Sequence, residues 1–161
     1  MPTTVPPPPT STPLSADELA AWRGLLQAHA QVTRALDAEM RAEHGLSLSS
    51  YEVLVSLADA PDRRLRMAEI ADRVLLSRSG LTRLVDRLVA RGHVARCAAE
   101  DDGRGAFAIL TDAGAELLAA ARRTHHDGVR RRFLDRLGPG DAAVLADIWA
   151  QVLDDAHGGS C

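Results

Sequence analysis

The stretch that decides how this chain is read is Leu75-Leu-Ser-Arg-Ser-Gly-Leu-Thr-Arg-Leu-Val-Asp-Arg-Leu-Val-Ala-Arg-Gly92. Leu81, Leu84, Val85, Leu88 and Val89 recur at three- and four-residue steps, the spacing of an amphipathic helix. Ser77 is placed to cap its start and Gly92 to end it. On the other side, Arg78, Ser79, Thr82 and Arg83 crowd the N-terminal front, with Arg87 one turn further along. Hydroxyl and guanidinium groups on the front of a helix pinned from behind are what hydrogen bonding to base edges requires. An ordinary helix with a solvated arginine face shows the same periodicity, so the flanking sequence has to decide.

Upstream, Met67 to Val74 reads as a short helix, joined to the first by a brief turn. Downstream, His93 to Arg96 and Ala106 to Leu110 read as two short strands around the polar tip Glu100-Asp-Asp-Gly-Arg-Gly105. Two helices and a hairpin in that order describe a winged helix-turn-helix. Its second helix is expected in the major groove of DNA, and its hairpin tip is expected to reach toward the minor groove. From Arg73 to Arg104 seven arginines face four acids, a local balance of +3 in a chain whose net charge is −3. A positive strip on an acidic body is the electrostatic footprint of phosphate contact.

Further out the chain is helical. Ser15-Ala-Asp-Glu18 has the capping-box pattern, and Leu19, Trp22, Leu25, Leu26, His29, Val32, Leu36 and Met40 continue a long amphipathic helix to His44-Gly45. Ser49 and Glu52 have the same capping spacing and open a shorter helix through Ala58, closed by Asp59-Ala-Pro-Asp62. Thr111 caps a fifth helix, expected from Asp112 to Leu137. Gly138-Pro139 starts a sixth, with Val144, Leu145, Ile148, Trp149, Val152 and Leu153 on its apolar side. The expected fold is mainly α, a winged helix-turn-helix with a two-stranded β wing and additional N- and C-terminal helices. The apolar residues of Leu19–Leu36 and Val144–Leu153 exceed what one small domain needs to cover itself, which suits burial against a partner chain.

Composition removes most other readings. The 161 residues suit one domain, and all 19 basic residues are arginine. Without lysine there is no Schiff-base catalysis, no Walker A loop and no Ser–Lys pair. Gly-x-Ser-x-Gly, His-Glu-x-x-His and Cys-x-x-Cys are missing from the sequence as well, so it does not read as an enzyme. No apolar run approaches the ~20 residues that span a bilayer. The start, Met1-Pro-Thr-Thr-Val-Pro, lacks the layout of a signal peptide, and Cys97 and Cys161 are too few for a disulfide scaffold. A cytoplasmic protein without cofactor or membrane contact is expected. Residues 1–14 hold six of the eight prolines and read as a disordered tail; residues 157–161 are expected to fray.

The 75–92 string, followed by Asp102-Gly-Arg104-Gly and Ala108-Ile-Leu-Thr111, resembles the MarR family of bacterial transcription regulators, and the likeness extends over about residues 15–156. The resemblance implies a homodimer on a pseudo-palindromic operator. Its winged helix-turn-helix occupies about residues 47–111, between dimerisation helices at about 15–44 and 112–156. Arg104 takes the place of the wing-tip arginine that enters the minor groove, and Asp102 that of the wing aspartate that orients neighbouring arginines. The implied function is repression, relieved when a phenolic or anionic aromatic effector binds between the dimerisation helices and the winged domain. Trp22, His29 and Tyr51 are the candidate lining, with Arg66 or Arg23 as the guanidinium for an acid; core packing of the three polar-tipped residues is the plainer alternative.

Zinc or thiol gating is a second form of the same reading. His125 and His126 are neighbours that point about 100° apart on a helix, so either needs ligands from elsewhere, such as His29 or Asp127, and no metal site is assigned. Cys97 lies beside Arg96, but the first long helix, where peroxide sensors of this family carry their cysteine, has none. A helical protein-interaction module whose arginines meet an acidic partner is the alternative outside the family.

Overall fold

The structure is a computed structural model that describes residues 12–74, 78–98 and 106–157. Its elements are α1 (Ala16–His44), α2 (Leu48–Ala58), β1 (Arg64–Arg66), α3 (Met67–Val74), α4 (Arg78–Ala90), β2 (Val94–Ala98), β3 (Ala106–Leu110), α5 (Asp112–Arg132) and α6 (Asp141–His157). Single 3-10 turns lie at Pro61–Arg63 and Leu134–Arg136. Among the described residues no helix is long and apolar enough to cross a membrane.

The chain divides into two units at Gln31–Val32, within the run of α1. In the first, Ser15 and Glu18 form the expected reciprocal cap. The Ser15 amide donates to Glu18 Oε2 at 2.7 Å, and the Glu18 amide donates to Ser15 Oγ at 3.2 Å. Trp22 and Leu26 stand 54% and 49% exposed on this segment.

The second unit holds the core. Met40, Leu46, Val53, Leu54, Leu57, Ile70, Leu81, Val85 and Val94 are its largest fully buried side chains, drawn from α1, α2, α3, α4, β2 and the turn after α1. The α2 start differs from the expected Ser49 cap. Ser47 is the N-cap, with extended backbone (φ −71°, ψ 155°), and its hydroxyl accepts from the Ser50 amide at 3.1 Å. Asp37, reaching from α1, accepts from the Leu48 amide at 2.8 Å and from Arg41 Nε at 2.6 Å. The Arg41 hydrogen bond holds the Asp37 carboxyl below its ordinary range, so it stays an anion at the helix start, where the dipole favours one.

The sheet is antiparallel in the order β1-β3-β2, with Arg64 opposite Ile109, Arg66 opposite Phe107 and Cys97 opposite Phe107 on the other side. The sequence leads one to expect two strands. The third, Arg64–Arg66, is three residues long, too short for alternation to announce it. The first hairpin strand runs over Val94–Ala98 rather than His93–Arg96.

The joint between wing and α5 is close. Gly92, in the left-handed region at φ 76°, ends the turn after α4, and its carbonyl accepts from Thr111 Oγ1 at 2.7 Å. The same hydroxyl accepts from the Gly114 amide at 3.0 Å and caps α5, while the Thr111 amide donates to the His93 carbonyl at 3.2 Å. A Cβ on Gly114 would stand 2.1 Å from that carbonyl oxygen.

Helix α5 ends at Arg132, short of the expected Leu137, and tightens into the 3-10 turn at Leu134–Arg136. Helix α6 begins at Asp141 rather than at Gly138-Pro139, with the Asp141 carboxylate accepting from the Gly138 amide at 2.8 Å. Against α1, α5 is tied by Thr124, whose hydroxyl donates to Glu43 Oε2 at 2.8 Å. Because that proton is spent on Glu43, His44 Nε2 at 2.8 Å must be the donor to Thr124 Oγ1. Glu39 receives both Arg131 and Arg132, and the Arg132 hydrogen bond first among causes depresses its carboxyl.

Gly114→Ala is expected to destabilise the fold by about 3 kcal/mol, the upper range of overpacking, read as a lower urea midpoint with unchanged slope. The Glu39 carboxyl is lower in the folded state than its ordinary 4.5, so its stabilisation is complete above that pH and is lost as pH falls through the folded value. Thermal melts between neutral and acid pH should therefore show a smaller acid loss for Glu39→Gln than for the wild type.

Candidate functional site

Leu81, Leu84, Val85 and Leu88 of α4 are 0–4% exposed and pack the helix onto the core. That burial fixes the rotation of the helix, so Ser79, Thr82, Arg83 and Arg87 are carried on its exposed side. Arg78 opens the helix. Ser77, Asp102 and Arg104 lie outside the described residues. Behind α4 stands α3, whose Ile70, Ala71 and Val74 are buried, at 0%, 8% and 8% exposure. Helices α3 and α4 and the β2–β3 ribbon thus follow in the expected order, and guanidinium and hydroxyl donors line one exposed face.

The arginine strip divides in use. Arg96 Nη2 on β2 pairs with Asp86 Oδ1 on α4 at 2.9 Å, tying the ribbon to the helix. Arg91 Nη1 donates to the Gly45 carbonyl at 2.8 Å, joining the end of α4 to the end of α1. Arg73 Nη1 lies 3.5 Å from the Ser56 carbonyl. Arg83 Nε sits 3.5 Å from the Ser79 carbonyl, one turn back on its own helix. Of the seven arginines counted in the sequence, Arg83 and Arg87 are the described ones that α4 carries on its exposed side.

A second feature is a cleft of about 430 Å³ lined by Tyr51, Glu52, Val55, Ser56, Arg73, Val74 and His125. Tyr51, 5% exposed, stacks on the His125 ring with centroids 4.6 Å apart and planes at 27°. Burial pushes the Tyr51 phenol above its ordinary value, partly offset by the Arg122 guanidinium. Burial and the neighbouring His126 push His125 down, which keeps the ring neutral, and its Nδ1 is buried with no hydrogen-bond partner among the described residues.

Of the four candidate ligand residues, Tyr51 is on this cleft. Arg66 is not; its guanidinium lies 4.9 Å from the Phe107 ring centroid on the wing sheet. Trp22 and His29 belong to the first unit, where both are exposed. The guanidinium on the cleft is Arg73, which sequence reasoning assigned to the strip; no signal in the sequence marks its turn toward α2. Among the described residues no cluster of three or more His, Cys, Asp or Glu side chains is disposed to hold a metal ion. Cys97 is exposed on β2.

The family model described as MarR family matches residues 44–105. The structure is similar to Sco3205, a MarR family transcriptional regulator from Streptomyces coelicolor solved in complex with DNA. The two share 38% identity at a TM-score of 0.83, covering 89% of this chain and 91% of that one. It is also similar to AbsC, a MarR family transcriptional regulator from the same organism, at 31% identity and a TM-score of 0.82, covering 92% of this chain and 99% of that one. The HTH-type transcriptional regulator PrsX of Escherichia coli is 26% identical over 117 residues, 73% of this chain; the match spans 61% of the length of PrsX.

Proposed function

The chain belongs to the MarR family of transcriptional regulators, and on that basis we propose that it is a cytoplasmic, homodimeric repressor that binds a pseudo-palindromic operator through α4 and the wing. The observation that carries this is the exposed side of α4: Thr82, Arg83 and Arg87 stand on a helix whose opposite stripe is sealed in the core. Arg and Thr at such positions match guanine O6/N7 and phosphate oxygens. Sco3205, similar over nine-tenths of both chains, was solved with DNA, which supports the same use here.

Homodimerisation accounts for apolar surface that the single chain leaves open. Trp22 and Leu26 on the first unit are matched on α6 by Val144, Ile148, Val152 and Leu153 at 58%, 43%, 55% and 58% exposure. A monomer has no use for such faces, and one recognition helix buries too little surface for tight specific binding. Pairing two copies sets two α4 helices about one turn of DNA, ~34 Å, apart or a multiple of it.

The Tyr51–His125 cleft is the effector site in this reading. Its aromatic wall, neutral imidazole and Arg73 suit a phenolic or other aromatic acid.

For the DNA function, the experiment is fluorescence anisotropy with duplexes selected from a random library, alongside light scattering for mass. A dimer that binds specific over random duplex is expected, and Arg83→Ala/Arg87→Ala should weaken binding at least tenfold, about 1.4 kcal/mol, without changing the mass. Wild-type affinity in that variant would remove α4 from the interface. For the effector, a thermal-shift screen of phenolic acids should give stabilisation that Arg73→Ala abolishes. Equal stabilisation of both proteins would place the ligand elsewhere.

A further inference from the structure

The wing sheet has an outer face that the recognition helix does not use. On β1, Leu65 is 4% exposed and points into the core with Ala108, so Arg64 and Arg66 project from the opposite side. Phe107 lies across from Arg66 in the register. The Arg64 guanidinium carbon is 4.0 Å from the Phe107 ring centroid, and that of Arg66 is 4.9 Å away. Two guanidiniums thus share one aromatic ring.

Among the described residues neither is in an ion pair, whereas the adjacent Arg63 is paired with Asp112 at 3.3 Å. Glu69, three residues after Arg66, accepts from the Arg66 backbone amide at 2.7 Å, and Asp62, two residues before Arg64, is in none of the ion pairs of the described residues. Two like charges over one ring repel each other, and an anion bridging them relieves the repulsion. The ring also restricts both side chains, so less entropy is lost when they close on a ligand. Position supplies the rest. Arg66 is opposite Phe107, the second residue of β3, at the sheet end where the ribbon turns, and α3 begins at the next residue, Met67. A wing directed at DNA therefore brings Arg66 toward the duplex first.

We propose that Arg64 and Arg66, held over Phe107, form a second phosphate-binding surface that grips the duplex backbone beside the groove taken by the wing. This rests on the DNA-binding reading above. The charge of the pair selects an anion, and backbone phosphates are the anions a wing meets.

The test is the salt dependence of affinity for a selected duplex, measured with full-length protein from about 50 to 200 mM salt. For Arg64→Ala/Arg66→Ala, affinity should drop about tenfold, and the slope of log K against log salt should become shallower by about 1–2, the loss of one or two phosphate contacts. Arg64→Lys/Arg66→Lys should keep the wild-type slope, since charge sets it, and Phe107→Leu should weaken binding about threefold with the slope nearly intact. Circular-dichroism melts verify that each variant folds; if the alanine pair does not, the lysine pair and Phe107→Leu carry the test. A wild-type slope and affinity in every folded variant, with Arg83→Ala/Arg87→Ala impaired, would overturn this surface and leave the recognition helix standing. So would binding of polyglutamate through Arg64 and Arg66 with unaltered DNA affinity. Failure of the wild type to bind any selected duplex would instead overturn the DNA-binding reading and this surface with it.

Discussion

The burial of Leu81, Leu84, Val85 and Leu88 is the constraint on which the rest of the molecule turns. A helix is free to roll about its axis until one stripe is sealed, and every side chain on the other stripe then has a fixed direction. Rolling α4 by one residue, about 100°, would draw arginine into the core and expose leucine, at a cost no surface contact offsets. The sealed stripe therefore does two things at once: it supplies core stability, and it aims Thr82, Arg83 and Arg87 outward.

Around that helix, charge is divided between holding and reaching. Arg96 is bound to Asp86 and so fastens the ribbon to α4, and Arg91 closes α4 onto the end of α1 through Gly45. Such contacts add little stability individually where they are exposed, but they fix the angle between wing and helix. In the proposed DNA complex, where helix and wing meet two grooves together, binding depends on that angle more than on any one contact. Thr111 serves the same end at the base of the ribbon, where one hydroxyl joins the Gly92 carbonyl to the first turn of α5 and a glycine at 114 lets the chains approach.

Most of the architecture was legible in the sequence because it is written in periodicity. The α4 stripe, the Ser15–Glu18 cap, the Thr111 cap and the β3 strand all stand where spacing places them. What escaped was decided by contacts distant in sequence. The α2 cap moved to Ser47, where the Asp37 carboxylate from another helix takes the Leu48 amide, a partner no local pattern contains. Strand β1 is too short to alternate visibly and exists because β3 offers it an edge. The arginine count overstated the free positive surface, since composition does not reveal that Arg91 and Arg96 are engaged internally. For the cleft, Tyr51 was readable as a polar-tipped aromatic in an apolar stripe, but its stacking on His125 joins residues 74 positions apart.

That cleft also bears on how binding at one site could alter the other. Two of its lining residues, Arg73 and Val74, are the last of α3, and α4 opens at Arg78. Arg73 reaches back to the Ser56 carbonyl on α2, so the end of α3 is held by a contact that lies on the cleft wall. An aromatic acid that takes the Arg73 guanidinium competes with this contact, and its bulk against Val74 bears on the residue that buries the α3 end. A ligand shifts an equilibrium by no more than its difference in affinity between the two states, and a tenfold preference is worth about 1.4 kcal/mol. In the proposed dimer a displacement of α3 would be repeated in both halves and would change the spacing of the two α4 helices that the proposed operator complex sets on one duplex.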